Sequence, residues 1–314
     1  FVMAFGIDRA SIKYILVTLR SLIRAEVAYQ APNKFLFIVG CGRSGNTLLR
    51  KILMSRFDIF IQPESYVLPS ICDFKRTNRN VSWKDLVLFC LAKLEQDSDI
   101  NKLPNFRVSE LRAHLLTFDR EKQSLGHLIY GVYAYLDDSD RQENTLIGDK
   151  TPFNTFYLNN LDKLFKHPYY IFIVRHPLDV VNSYMKSGLI HDPIAAATRW
   201  VNSHKSWQRF CNYNHPENKL ILKYEDLVAD HLSATSLMQT SLKVSARSDN
   251  IEKTYLGDVE TMAHHQNVLN PINVNSVGRG RNELPQKTVD KVYDIVQPYL
   301  SIYGYEWIQH DQFL

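Results

Sequence analysis

Two uninterrupted apolar runs dominate the hydropathy pattern. Phe35–Gly40 (FLFIVG) and Tyr169–Val174 (YYIFIV) are rich in aromatic and β-branched residues and show no polar alternation. Such runs suit parallel strands covered on both faces. Leu220–Leu222 is a shorter candidate that ends at Lys223, and Ile59–Gln62 is another. Between them the period changes to that of a helix. Asn46 to Arg56 carries Leu48, Leu49, Ile52, Leu53 and Met54, and Pro177 to Lys186 opens with a proline in its first turn, where a missing N–H costs nothing. Ile194 to Cys211 sets Trp200 and Trp207 two turns apart, and Pro285 to Tyr303 repeats Val289, Val292, Tyr293 and Val296 at helical spacing.

Residues 66–145 show several helix-like segments and few strand signals, which predicts a helical region covering a site. Strands alternating with helices predict an α/β fold with a central parallel sheet flanked by helices. Ligands of such sheets sit beyond the carboxyl ends of the strands.

The N-terminal segment ASIKYILVTLRSLIRAEVAY is apolar, but Lys13, Arg20 and Arg24 interrupt it. A secretory leader or a membrane span would need a longer unbroken apolar run. Ile12, Ile15, Leu16, Leu19, Leu22 and Ile23 instead predict an amphipathic helix within residues 1–33. It would pack on the domain 34–314 or form a homodimer contact, and weak membrane-surface contact stays open as the alternative.

The chain has 314 residues, 45% hydrophobic and 22% charged, with a formal charge of +4. That is a globular composition whose mild basicity suits an anionic ligand and falls short of a nucleic-acid partner. Cys41, Cys72, Cys90 and Cys211 show no C-x-x-C pair, and no Cys/His group has zinc spacing, although His264 and His265 adjoin. Scattered cysteines fit structural use and a reducing, cytoplasmic setting.

Two segments carry chemistry. GCGRSGNTLL follows the first strand and opens a helix. Its glycines let the backbone approach a ligand, and the helix start offers unpaired N–H groups and a positive dipole end. The spacing is close to a nucleotide-triphosphate loop, G-x-x-x-x-G-K-[ST], but Asn46 stands at the lysine position and Arg43 supplies the cation. A kinase or ATPase would also want a magnesium-binding carboxylate at the end of a second strand. The second run ends in VRHP, with Arg175 there and Asp179 four residues on. A metal-free anionic donor fits better, with protein cations in place of magnesium.

Together GCGRSGNTLL and IVRHPLDVVNSYMKSG resemble the two signatures of sulfotransferases that use 3′-phosphoadenosine 5′-phosphosulfate (PAPS). The loop arginine followed by QPES and GDKTPFN makes the similarity greatest to the bacterial and tyrosylprotein branches, and KYEDL and NSVGRGRNEL also have counterparts in the family, so that the resemblance spans roughly residues 34–305. The resemblance implies a nucleotide-binding-loop fold with a helical middle region, a bacterial cytoplasmic enzyme, and a small-molecule or peptide acceptor. It implies that Gly42, Arg43, Ser44, Gly45, Asn46, Thr47 and Leu48 hold the 5′-phosphosulfate, and that Arg175 and Ser183 hold the 3′-phosphate. Tyr224 would lie near adenine, and Arg279, Gly280 and Arg281 would form the closing basic loop. Two positions depart from the family pattern, Asn46 for threonine and Gly280 for tryptophan. The resemblance further implies Glu64 as general base, with Arg43 and Lys150 as catalytic cations, no metal, and 3′-phosphoadenosine 5′-phosphate (PAP) as product. By itself Lys150 also reads as a surface lysine in a turn, and Glu64 as a loop acid. An Mg-ATP phosphotransferase and a non-catalytic nucleotide-binding protein are the competing readings. Tyr130, Tyr133, Tyr135, Phe153, Phe156 and Tyr157 are expected near the acceptor, as are residues 187–200 and 255–277.

Overall fold

A computed structural model describes residues 34–103, 105–137, 146–246 and 272–307. The N-terminal amphipathic helix expected within 1–33, and the 255–271 part of the expected acceptor region, lie outside these residues. Five parallel strands form one sheet: β1 (Phe35–Gly40), β2 (Ile59–Gln62), β3 (Leu146–Lys150), β4 (Tyr169–Val174) and β5 (Asn218–Lys223), in the order β2-β3-β1-β4-β5. β1 therefore lies between β3 and β4, with Ile38 opposite both Lys150 and Ile171. The ends of these three strands meet at one edge of the sheet.

The helices are α1 (Asn46–Arg56), α2 (Leu68–Thr77), α3 (Trp83–Glu95), α4 (Val108–Leu116), α5 (Leu125–Leu136), α6 (Leu158–Leu161), α7 (Pro177–Lys186), α8 (Pro193–Asn214), α9 (Tyr224–Ala229), α10 (His231–Leu242), α11 (Arg279–Glu283) and α12 (Gln286–Leu300). The middle of the chain is helical, with α2 to α5 running between β2 and β3.

The continuous apolar runs are resolved by strand alternation into two cores. Phe35, Phe37, Val39, Tyr170, Phe172 and Val174 face one side, while Leu36, Ile38, Tyr169, Ile171 and Ile173 face the other. The first core is aromatic: Phe35 stacks on Phe165 with centroids 4.2 Å apart, and Phe172 stacks on Trp207 at 4.9 Å. Each such side chain, fully withdrawn from water, contributes about 1.5–3 kcal/mol. The strands are thereby fixed rigidly beneath the loops they carry.

β3 was legible only as the short apolar pair Leu146–Ile147. Its outer half is GDK, which has no strand signature, yet all five residues are buried between β1 and β2. The reading of Lys150 as a surface lysine is thereby corrected, because its side chain is fully buried. β5 extends beyond the expected Leu220–Leu222 to Asn218–Lys223. Its polar ends are tolerated because it pairs with β4 alone and sits at the sheet edge.

Candidate active site

The loop Cys41–Gly45 joins β1 to α1. Gly45 has φ 98°, and a Cβ there would lie 2.4 Å from the Tyr224 ring, so only glycine fits. Arg43 adopts φ 67°, a left-handed conformation that costs a non-glycine residue about 1–2 kcal/mol. Its Nε donates to Ser183 Oγ at 3.1 Å. The first segment's cation is thus tied to the second segment's hydroxyl.

Asn46 uses its amide within the loop, where Nδ2 donates to the Cys41 carbonyl at 2.9 Å. That contact closes the turn. The first helical hydrogen bond runs from Leu49 N to Gly45 O. The N–H groups of Asn46, Thr47 and Leu48 consequently have no partner within the helix, the arrangement that favours an anion. Ser44 is fully buried, and among the described residues its Oγ has no partner.

β3 brings Lys150 to the same place. Its Nζ donates to Glu64 Oε1 at 2.6 Å and to Thr47 Oγ1 at 3.3 Å. Glu64, just past β2, also accepts from the Tyr66 hydroxyl through Oε2 at 3.0 Å. The preceding residue, Asp149, points to the opposite face, as strand alternation requires. There Tyr133, Gln62 and Asn154 donate to it, at 2.9, 3.2 and 2.7 Å. Burial raises its pKa to about 6 against those hydrogen bonds. Tyr133, expected at the acceptor, instead serves this buried hub.

β4 ends at Arg175, whose guanidinium stacks on the Tyr224 ring at 4.3 Å and lies 3.7 Å from Asp179. It donates to the Arg43 and Ser276 carbonyls, while its buried Nε has no partner among the described residues. His176 caps α7 by accepting from Leu178 N, and its backbone N–H donates to Glu225 at 2.8 Å. Burial depresses the His176 pKa to about 4, consistent with a neutral acceptor ring.

The late basic loop divides. Arg279 faces the cavity, but Gly280 and Arg281 do not line it. Gly280 N donates to Asp179 Oδ1 at 2.7 Å, and a Cβ on Gly280 would stand 2.1 Å from the Leu178 carbonyl oxygen. The residue that departs from the family pattern is therefore a packing contact on the start of α7. Arg281 lies close enough to His176 to disfavour its protonation.

A cavity of about 760 Å³ joins these groups. Gly42, Arg43, Gly45, Asn46, Thr47, Leu48, Arg175, Ser183, Tyr224 and Arg279 line it. So do Glu64, Tyr66, Asp99, Phe153, Leu189, Ile190 and Arg199. Lys150 and Ser44 sit behind this wall. Of the aromatic residues expected near the acceptor, Phe153 reaches the cavity. Tyr135 instead bonds Glu110, and Tyr157 is buried in the aromatic core. Arg199 falls within the 187–200 stretch expected near the acceptor, as do Leu189 and Ile190, but a single arginine in the helical pattern TRWVNSHKSW carries no motif of its own.

The architecture is shared. The sulfotransferase domain from the curacin biosynthetic pathway superposes with a TM-score of 0.60 at 21% identity, covering 89% of this chain and all of that one. The sulfotransferase domain from the Synechococcus PCC 7002 olefin synthase gives 0.58 at 19%, covering 90% and 98%. At these identities the likeness concerns the fold. No curated protein sequence matches the chain. The sequence model described as the sulfotransferase family matches residues 36–249, which takes in the loop after β1, Glu64, Lys150, Arg175, Ser183 and Tyr224. By that match across most of its length, the chain belongs to the sulfotransferase family and is a sulfuryl-transferring enzyme.

Proposed function

We propose that the enzyme moves a sulfuryl group from PAPS to a hydroxyl or amine of an organic acceptor, with Glu64 as general base. The observation that carries this reading is the position of Lys150. In magnesium-dependent nucleotide enzymes the loop Ser/Thr and a strand-end carboxylate hold the ion between them. Here the hydroxyl of Thr47 faces the Lys150 ammonium at 3.3 Å, and the neighbouring carboxylate, Asp149, is committed to the opposite face. A fixed protein cation stands where the metal would touch the loop.

The chain's residues divide the work. The N–H groups at the start of α1, with Arg43, suit a 5′-phosphosulfate. Arg175 offers forked, charge-assisted contacts to a 3′-phosphate, with Ser183 beside it and Tyr224 placed for the base. The unpartnered Arg175 Nε and Ser44 Oγ are buried donors of the kind that a bound anion satisfies. Transfer forms a bond from the acceptor oxygen to sulfur and breaks the one from sulfur to the bridging phosphate oxygen. The acceptor's proton passes to Glu64, and PAP leaves with the released charge. Lys150 and Arg43 stabilise charge on the oxygens around sulfur and on the leaving bridge. Lys150 also fixes the Glu64 carboxylate, with the Tyr66 hydroxyl on its other oxygen.

Incubation with sulfur-labelled PAPS and a panel of phenols, alcohols and amines tests the reading. Wild-type enzyme transfers label without added metal. Glu64→Gln loses about 10²–10⁴-fold in turnover, the range of general-base catalysis, while PAP affinity stays within a few-fold. Wild-type-like turnover by Glu64→Gln removes it as the base. Transfer from ATP instead of PAPS refutes the donor.

A further inference from the structure

Arg199 on α8 lines the same cavity as Glu64. Its guanidinium lies over the Phe156 ring at 5.5 Å and reaches the Tyr184 hydroxyl. Lys150, Arg175 and Lys186 each have a carboxylate within ion-pair distance, but among the described residues Arg199 has none. The groups whose charge it senses are Tyr184, Cys41 and Tyr66. Burial keeps the Tyr184 hydroxyl and the Cys41 thiol protonated, and the exposed Tyr66 hydroxyl beside Glu64 is neutral as well. A guanidinium with a neutral hydrogen-bond partner and no carboxylate in ion-pair distance keeps N–H groups for an incoming anion.

The proposed donor contacts already include two cations, Arg43 and Arg175. Arg199 is joined instead to the proposed base by a wall of rings. The Tyr66 hydroxyl contacts Glu64 Oε2, the Tyr66 ring lies 6.0 Å from Phe153, and Phe153 lies 5.9 Å from Phe156, the ring beneath Arg199. Leu189 and Ile190 add apolar surface to the same cavity. An acceptor laid along this wall presents its hydroxyl at one end to Glu64 and its other end to Arg199.

We infer that the acceptor is a small hydroxycarboxylic acid with an apolar body, and that Arg199 binds its carboxylate. The inference rests on the sulfuryl-transfer reading above and deepens it. The forked guanidinium matches a carboxylate, the rings match the body, and Glu64 takes the hydroxyl proton.

The test uses PAP-loaded protein with para-hydroxyphenylpropanoate and omega-hydroxydecanoate, each titrated against its own methyl ester by calorimetry. The same pairs are then compared as acceptors with PAPS. At least one acid binds wild type about tenfold or more tighter than its ester, the range of a charge-assisted hydrogen bond. The ratio is read within each protein, so any general loss cancels. Arg199→Met brings it close to one, and Arg199→Lys, which keeps the charge and guards against a folding failure, retains part of it. Equal binding of acids and esters, or no measurable binding of either acid, overturns the inference. So does a ratio that survives in Arg199→Met, or a loss of PAP affinity in that variant, which would place Arg199 on the donor. Failure of wild type to bind PAP is a different result and strikes the parent reading.

Discussion

Replacing Lys150 by methionine keeps the bulk of the side chain and removes its charge. Nζ lies 2.6 Å from Glu64 and 3.3 Å from Thr47, with the lysine side chain fully buried and that of Glu64 16% exposed. Truncating one partner of a buried ion pair costs about 3–5 kcal/mol. Glu64 opens on the cavity, so water can resolvate it, and the expected loss falls to about 2 kcal/mol. For a chain of 314 residues that lowers the melting temperature by about 3 °C. The effect on catalysis is larger, because a preorganised charge at the transferring group is worth about 3–4 kcal/mol, or 10²–10³ in kcat. PAP carries no sulfuryl group, so its affinity changes by only a few-fold. Single-turnover transfer at 20 °C, well below the melting transition, separates the two effects. A kcat within about fivefold of wild type would refute the placement of Lys150 at the sulfuryl group. A hundredfold loss of PAP affinity would reassign it to nucleotide binding.

Gly280→Trp, the residue of the related pattern, drives its Cβ into the Leu178 carbonyl and the Asp179 N–H that starts α7. It destabilises by at least about 2–3 kcal/mol, and an unchanged melting temperature in thermal denaturation would show that this contact is absent. His204 lies among Trp200, Phe172 and Tyr303 with neither ring nitrogen partnered, and burial depresses its pKa from 6.5 to about 3. A depressed pKa means that its contribution to stability is present above pH 6.5 and is lost as pH falls toward 3, on the order of 4 kcal/mol in all. His204→Phe is expected to be at least as stable at pH 7 and to flatten urea-unfolding stability between pH 6.5 and 3; an unchanged slope there contradicts it.

The sheet's centre was legible because burial on both faces imposes continuous apolar runs, and β1, β2, β4, α1 and α7 begin and end where the pattern placed them. The site segments after β1 and β4 were legible because helix starts, glycines and cations recur there at fixed spacing. β3 was not, since its outer half must present Gly148 to the Leu36 backbone, Asp149 to one polar hub and Lys150 to another. Those tasks erase the strand signature. Asn46 read as a ligand donor, but only the folded loop shows its amide turned back to Cys41. Arg199 and Asp149 had no local signal, because their roles depend on which side chains the fold brings beside them.

The central claim is a nucleotide site that recognises a 3′-phosphate without a metal ion. Among the described residues no helix is long and apolar enough to cross a membrane. Titration in the presence of a chelator compares PAP with AMP, which lacks the 3′-phosphate, and a separate titration uses Mg-ATP. The forked contact from Arg175 is worth about 3 kcal/mol. PAP should therefore bind about a hundredfold more tightly than AMP, Arg175→Ala should erase that difference, and Mg-ATP should bind no better than AMP. Tight binding of Mg-ATP with no preference for PAP would contradict the account.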